Sequence, residues 1–464
     1  MKRITYLLIP FLLWTVGATQ AQTTEQSTPN VDTLTVQPTP DTAHKLTLHE
    51  CMEIAVRNSS KMKLQTSEID DARLMRRQAI LNTFTPHFEG GTSGNFNFGR
   101  TVDPETNTYK SITSFSNGYY VGGSLTLFDG FSAVNNMKIT KTALKMGLQR
   151  EEQLREEICL ATMEAFYNVV FSEELVEVLT SFVETAKQNL HLANRQKELG
   201  QKGYADVVQF EAELADREYE LVNAQNQQAD ALLTLKDMML WAVDEPLEVD
   251  TSLLAPSLQM RISYGEMAEK ARLTMPSVLM AEGKMDNALR ELRTAKWSLL
   301  PSLSMSGGWS TSFYTLEGIT TDNFKTQFKS NRGEYVQFNL SIPIFSGLFK
   351  RAKVSKAKHA FARAEIEYRQ TLHDVDQEVA RAIQEHEGAR VALTQAERRS
   401  SVQEEAYRLN KSKLERGLIS PLEFQTASNL YLKSRAERMD AELKYRLKQS
   451  VVRYYQGESY LEQN

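Results

Sequence analysis

The chain has 464 residues, a formal net charge of −5 and only two cysteines, Cys51 and Cys159. That length allows two or three ordinary domains, and the slight acidity gives no argument for a nucleic-acid partner. Two thiols hardly make a disulfide framework: either they pair, or they sit as buried thiols in helical segments.

Lys2 and Arg3 precede an apolar run from Ile4 to Val16, and small residues follow up to Ala21. This order predicts a secretory signal peptide over 1–21. Gln22 follows Ala21, so a lipid-bearing cysteine at the cut is not indicated. Neither that run nor any later one has the roughly 20 apolar residues of a spanning helix, which leaves a closed β-barrel as the route into a membrane. Residues 22–45 are Thr-rich with Pro29, Pro38 and Pro40, and predict a flexible arm that cannot bury enough apolar surface to fold.

Beyond the arm the chain is written twice. Glu50-Cys-Met-Glu-Ile-Ala-Val-Arg57 recurs as Glu266-Met-Ala-Glu-Lys-Ala-Arg272. Tyr120-Val-Gly-Gly-Ser-Leu-Thr-Leu-Phe-Asp-Gly130 matches Tyr335 to Gly347, and Gly203-Tyr-Ala-Asp-Val-Val-Gln-Phe210 is matched to Gly417-Leu-Ile-Ser-Pro-Leu-Glu-Phe424. The repeats are expected over 46–241 and 266–457, with a connector at 242–265 broken by Pro246 and Pro256 and a tail at 458–464.

Each copy opens with a helix and then two strands, expected as hairpins at 84–129 and 299–346. Phe84, Phe88, Gly90, Gly94, Phe96 and Phe98 alternate with polar residues that include Thr85, His87, Glu89, Ser93, Asn95 and Asn97. In the second copy Leu303, Met305, Trp309 and Phe313 alternate with serines, and Val336, Phe338, Leu340, Ile342 and Ile344 with Gln337, Asn339 and Ser341. Period two with one apolar and one small polar face is a half-buried strand, which fits a barrel wall or a sandwich. The hairpin loops, 100–113 and 316–333, are polar.

After the strands, 132–201 and 348–416 lack proline, and each run of about 70 residues would extend on the order of 100 Å as a helix. Gly203 and Gly417 stand where a helix end calls for a left-handed residue; Asp206 and Ser420 follow as candidate N-caps, and Pro421 suits the first helical turn. The chain then returns as an antiparallel helix, 207–241 or 421–455. Val207, Phe210, Leu214, Leu221, Leu232, Leu235 and Met239, and in the second copy Leu432, Met439, Leu443, Leu447 and Val451, recur at coiled-coil spacing. The returning helix and the helix before the strands together match the long one, so each copy reads as one continuous column beside a spliced one. Asn223-Ala-Gln-Asn-Gln-Gln228 is polar on every face, which suits a tube wall better than a packed rod.

No catalytic, cofactor or metal pattern is expected. His373, Asp374, Asp376 and Glu378 spread around a helix, and His386-Glu387 lacks the second histidine of a zinc-protease motif.

Duplicated helix–hairpin–long-helix units, with strand ends Leu125-Thr-Leu-Phe-Asp-Gly130 and Leu340-Ser-Ile-Pro-Ile-Phe-Ser-Gly347, resemble the TolC-like outer-membrane efflux proteins. The resemblance implies an α+β fold: long helices forming a periplasmic α-barrel, and four strands per protomer in a trimeric twelve-stranded transmembrane barrel. It implies a passive exit duct for efflux or type I secretion, and not an enzyme. The implied partners are two further copies, a periplasmic membrane-fusion adaptor, an inner-membrane pump of the RND, ABC or MFS class, and outer-membrane lipid. It assigns Gly203, Tyr204, Asp206, Gly417, Leu418 and Ser420 to adaptor-docking tips, with Tyr204 departing from the usual small aliphatic residue. Glu423 matches an acidic ring at a periplasmic constriction, while Thr426 stands where a second acid is usual; a plain helix-start glutamate reads equally well. Lys350, Arg351, Lys353, Lys356 and Lys358 stand either at phosphate head groups by the periplasmic rim or on a solvated face.

Overall fold

The computed structural model describes residues 45–102, 107–111, 113–251, 262–318 and 320–463. The expected signal peptide, nearly all of the arm and the centre of the connector lie outside the described residues.

Helix α1, Leu48–Asn58, begins at a reciprocal cap: Thr47 Oγ1 accepts from Glu50 N, and Glu50 Oε2 accepts from Thr47 N at 2.8 Å. Helix α2, Ser60–Phe84, follows directly and runs through Phe84, so the first strand starts at His87 and not at Phe84. Pro86 explains the shift, because it pushes Thr85 into an extended conformation and ends the helix. The second copy repeats this with α5, Tyr264–Thr274, and α6, Pro276–Trp297, before Ser302.

Strand β1 is His87–Asn97; β2, Arg100–Val102, and β3, Tyr109–Ser111, form a small ribbon in the first loop; β4 is Ser114–Phe128. In the second copy β5, Ser302–Leu316, is followed by β6, Gly333–Ser341, so Ile342 and Ile344 fall past the last strand. The main sheet is antiparallel in the order β1-β4-β5-β6. Its register sorts the side chains. Phe88, Val121, Tyr119, Trp309, Phe313, Val336 and Phe338 share one face; Ser93, Asn95, Ser116, Ser124, Ser306, Ser310, Gln337 and Asn339 share the other. Both β1 and β6 keep one edge unpaired within the chain.

The second loop is not merely polar. It carries α7, Phe324–Ser330, whose Phe324 and Phe328 pack on Tyr119, Trp309 and Phe313 of the apolar face. Strand β6 pairs with β5 only as far as Ser310, and α7 takes over above it. Gln327 Nε2 donates to Tyr314 O at 2.9 Å and Gln327 Oε1 accepts from Tyr314 N at 3.0 Å, while Asn331 Nδ2 donates to Ser312 O. Two side-chain amides therefore stand in for a missing strand, which matters where no water is present to satisfy backbone groups.

From the sheet the chain turns into α3, Ser132–Glu198, and α8, Phe349–Glu415, each 67 residues or about 100 Å long. Both start from two consecutive left-handed residues, Gly130-Phe131 and Gly347-Leu348. A Cβ on Gly130 would lie 2.5 Å from Trp297 O, so that corner requires glycine. Helix α4, Tyr204–Met239, and α9, Pro421–Tyr455, return along α3 and α8.

The spliced column joins at mid-length of α3. Asn58 Nδ2 at the end of α1 donates to Met239 O at the end of α4 at 3.0 Å, satisfying an otherwise orphaned helix carbonyl. Around this joint lies the main core: Cys51, Met52, Ala55, Cys159, Met163, Phe166, Val170, Leu235, Met239, Val249 and Tyr460. Both cysteines are free thiols in it, so they do not pair, and burial pushes each thiol up to about 12. Leu46 bridges to Val249 of the connector, and the C-terminal turn is fastened by Glu156, which accepts from Ser459 Oγ at 2.6 Å and Tyr460 N at 3.0 Å. No helix among the described residues is long and apolar enough to cross a membrane.

Candidate functional site: two hairpin tips and the core behind them

At the end opposite the sheet the two helical hairpins reverse, and there the structure corrects the repeat register. Gly200, with φ +71°, is the left-handed residue that ends α3, whereas Gly203 has φ −81° and is the N-cap of α4. Gln201 N bonds to Gln196 O and Gly200 N to Lys197 O, the paired bonds of a Schellman cap. The second tip has the same bonds one repeat later: Leu418 N to Lys413 O and Gly417 N to Leu414 O, with Gly417 at φ +71°. Gly200 and Gly417, Gly203 and Ser420, and Asp206 and Glu423 are each 217 residues apart, the same spacing as Phe131 and Leu348. The match of Gly203 to Gly417 is three residues out of frame.

Asp206 is accordingly not an N-cap. It lies at the third helical position, and its Oδ2 accepts from Gly203 N at 3.2 Å. Glu423 does the same at the second tip: its Oε2 accepts from Ser420 N at 3.1 Å, and Ser420 Oγ accepts from Glu423 N at 3.3 Å. Glycine has no side chain, so the first tip has half of this reciprocal cap and the second has both halves. Pro421 occupies the first helical turn of the second tip only. Tyr204 and Leu418 both project outward, 70% and 68% exposed, and Lys197 Nζ lies 4.9 Å from the Tyr204 ring centroid.

The tips pack side by side. Val207 and Phe210 of the first share a cluster with Leu414 and Phe424 of the second, extended by Tyr407 and Ile419. Behind it the interior turns polar. Arg217 is 2% exposed and Glu213 4%. Arg217 Nη1 donates to Glu220 at 2.8 Å, while Nη2 reaches Ser428 and Asn429 of α9. Burial pushes the Glu213 carboxyl above its ordinary range, with the Arg217 guanidinium partly opposing the shift. Arg217 thus ties the first hairpin to the second, beside a groove of about 350 Å³ between α3, α4 and α9. It was readable in the sequence: Val207, Phe210, Leu214, Arg217 and Leu221 keep a strict three-four spacing that gives Arg217 a core position.

The acidic run on α8 is engaged in packing. Arg272 holds Asp376 with two bonds of 2.8 and 2.6 Å, and Tyr455 donates to Glu378. His386 is buried against the Tyr445 ring, and burial lowers its pKa. No group of metal-binding side chains occurs among the described residues.

The family model described as outer membrane efflux protein matches residues 56–239 and 267–456, one match per repeat. The chain belongs to the outer membrane efflux protein family. Among curated relatives this family member is 22% identical over 251 residues to protein CyaE of Bordetella pertussis, covering 53% of this chain and 50% of that one. It is 24% identical over 246 residues to outer membrane protein TolC of Vibrio cholerae, covering 50% and 54%. These alignments span about half the length of each relative. Among solved structures, the outer membrane protein VceC of Vibrio cholerae superposes with a TM-score of 0.74 at 14% identity, over 88% of this chain and 96% of that one. The TolC-like fold implied by the resemblance is the fold observed.

Proposed function

We propose that this efflux-family protein is a passive outer-membrane exit duct, open to the cell exterior through its sheet and reaching into the periplasm with its helices. The observation that carries the reading is the sheet, which has one apolar face, one wet face and two unpaired edges. Unpaired edges are untenable in lipid, so β6 of one copy pairs with β1 of the next. Two copies would give eight strands, a number whose interior side chains fill; three give twelve and leave a passage. The duct has no catalytic role of its own.

The exposed tips around Gly203, Tyr204 and Asp206, and Gly417, Leu418 and Ser420, are the surface for a periplasmic adaptor that couples an RND, ABC or MFS pump. Glu423, repeated by threefold symmetry, lines the periplasmic entrance and draws in cations. Detergent fractionation tests the duct: an outer-membrane trimer is expected, and a soluble periplasmic monomer would refute it. Planar-bilayer recording of Glu423→Ala tests the entrance. A change in cation conductance or block is expected, and an unchanged record removes Glu423 from that role.

A further inference from the structure

Sheet order β1-β4-β5-β6 is continued below the sheet by neighbouring helices α2, α3, α6 and α8, so α2 and α8 are the edges of the protomer. Near the sheet-side end of α2, a cleft of about 270 Å³ is lined by Arg73, Arg76, Arg77, Ile80 and Leu81 of α2 and Leu144 of α3. Arg73 is paired with Asp70 at 2.6 Å; among the described residues no carboxylate pairs with Arg76 or Arg77. After Asp71 there is no acidic residue to the end of α2. Toward the sheet the stripe turns apolar and open: Ile80, Leu81 and Phe84 are 40%, 46% and 68% exposed, and Phe88 of β1 is 71% exposed. Arg77 lies seven residues below Phe84, about 10 Å along the helix. That is close to the thickness of one head-group layer, on the order of 5–8 Å.

A cationic base beneath an aliphatic wall, in that order from the periplasm toward the sheet, matches one ligand chemistry. We propose that the α2–α3 cleft seats an anionic phospholipid of the leaflet nearer the helices. Its phosphate lies on Arg76 and Arg77, and an acyl chain follows Ile80, Leu81 and Leu144. Guanidinium forks suit phosphate oxygens, and the adjacent aliphatic groups exclude water from the contact. The placement rests on the membrane reading above. Ring closure adds to it, because the adjoining edge helix α8 brings Arg351, Lys353, Lys356 and Lys358 with no acid before Glu365. Two basic edges facing each other repel, and a lipid phosphate between them removes that cost.

The experiment is native mass spectrometry of the full-length protein in detergent, with added phosphatidylglycerol, phosphatidylcholine or inorganic phosphate. Phosphatidylglycerol should be retained in preference to phosphatidylcholine, and Arg76→Gln/Arg77→Gln should lower its retention about thirtyfold. Arg76→Lys/Arg77→Lys, which keeps the charge and the helix, should restore part of it, and Arg408→Gln should change nothing. Equal retention by the glutamine variant, no preference between the two lipids, or displacement by equimolar inorganic phosphate would each overturn the proposal. The assembly mass is read in the same spectra: a trimer with arginine-independent lipid sinks the cleft alone. A monomer with arginine-dependent lipid sinks the ring and leaves the cleft standing.

Discussion

The two glycines of the first tip make opposite demands, and alanine at each separates them. Gly200 is left-handed, and a Cβ there would meet nothing within 4 Å, so Gly200→Ala carries no clash. Its whole cost is backbone strain, about 1–2 kcal/mol for an L-residue in that region. Gly203 is extended, with φ −81° and ψ 163°, a conformation alanine adopts freely. Gly203→Ala loses up to about 1 kcal/mol as a poorer N-cap and recovers about 0.4–1 kcal/mol from a stiffer unfolded chain, for a net effect near zero. Native-state hydrogen exchange reads the difference at Gln201, whose amide closes the Schellman cap on Gln196 O. Gly200→Ala should speed exchange there about 5–30-fold, and Gly203→Ala should leave it within about twofold. Should Gly203→Ala prove the more damaging of the two, the 217-residue register and the capping scheme built on it are wrong.

Other consequences follow from the same geometry. Arg217→Met removes its bonds to Glu220, Ser428 and Asn429 and should cost about 1–3 kcal/mol in detergent thermal unfolding, with Glu213→Leu, which removes the carboxyl that burial disfavours, recovering part of the loss. Ser420→Ala removes one half of the second cap and should loosen that tip by about 1 kcal/mol, measured as faster exchange at Glu423 N. The Glu156 carboxyl is raised by burial, so its contribution is present at low pH, where it is protonated, and fades as pH rises through the raised pKa. Glu156→Gln should therefore flatten the pH dependence of C-terminal-turn protection, and an unchanged pH profile would exclude this carboxyl as its source. Cys51 and Cys159, buried with pKa about 12, should resist maleimide until the protein is unfolded; prompt labelling of the native protein would contradict the core described.

Much of this architecture is legible in the amino acids because its elements are long and their periods clean. Alternation in Leu303-Ser-Met-Ser places a strand, and the proline-free run after Phe349 places a helix, with no tertiary information needed. The short elements are hidden. In α7 only Phe324 and Phe328 mark a helix of two turns inside a polar loop, and the need for it arises from β6 stopping at Gly333. At the tips, Gly203 and Gly417 and then Phe210 and Phe424 coincide at a false spacing, while the requirement that identifies Gly200 is a dihedral angle. Tip exposure and the Arg217 bonds to α9 depend on which hairpins become neighbours, and neighbours are set by the sheet.

The unequal caps have a consequence for whatever meets the tips. In a ring of three copies the six reversals alternate around the rim, one fastened by serine, proline and glutamate, the next by aspartate alone. A protein docking there, as proposed above, would meet a scalloped edge of three stiffer and three more compliant teeth. Six identical helical hairpins set against it would fall into two classes of grip, and the looser class would open first when the rim is pulled.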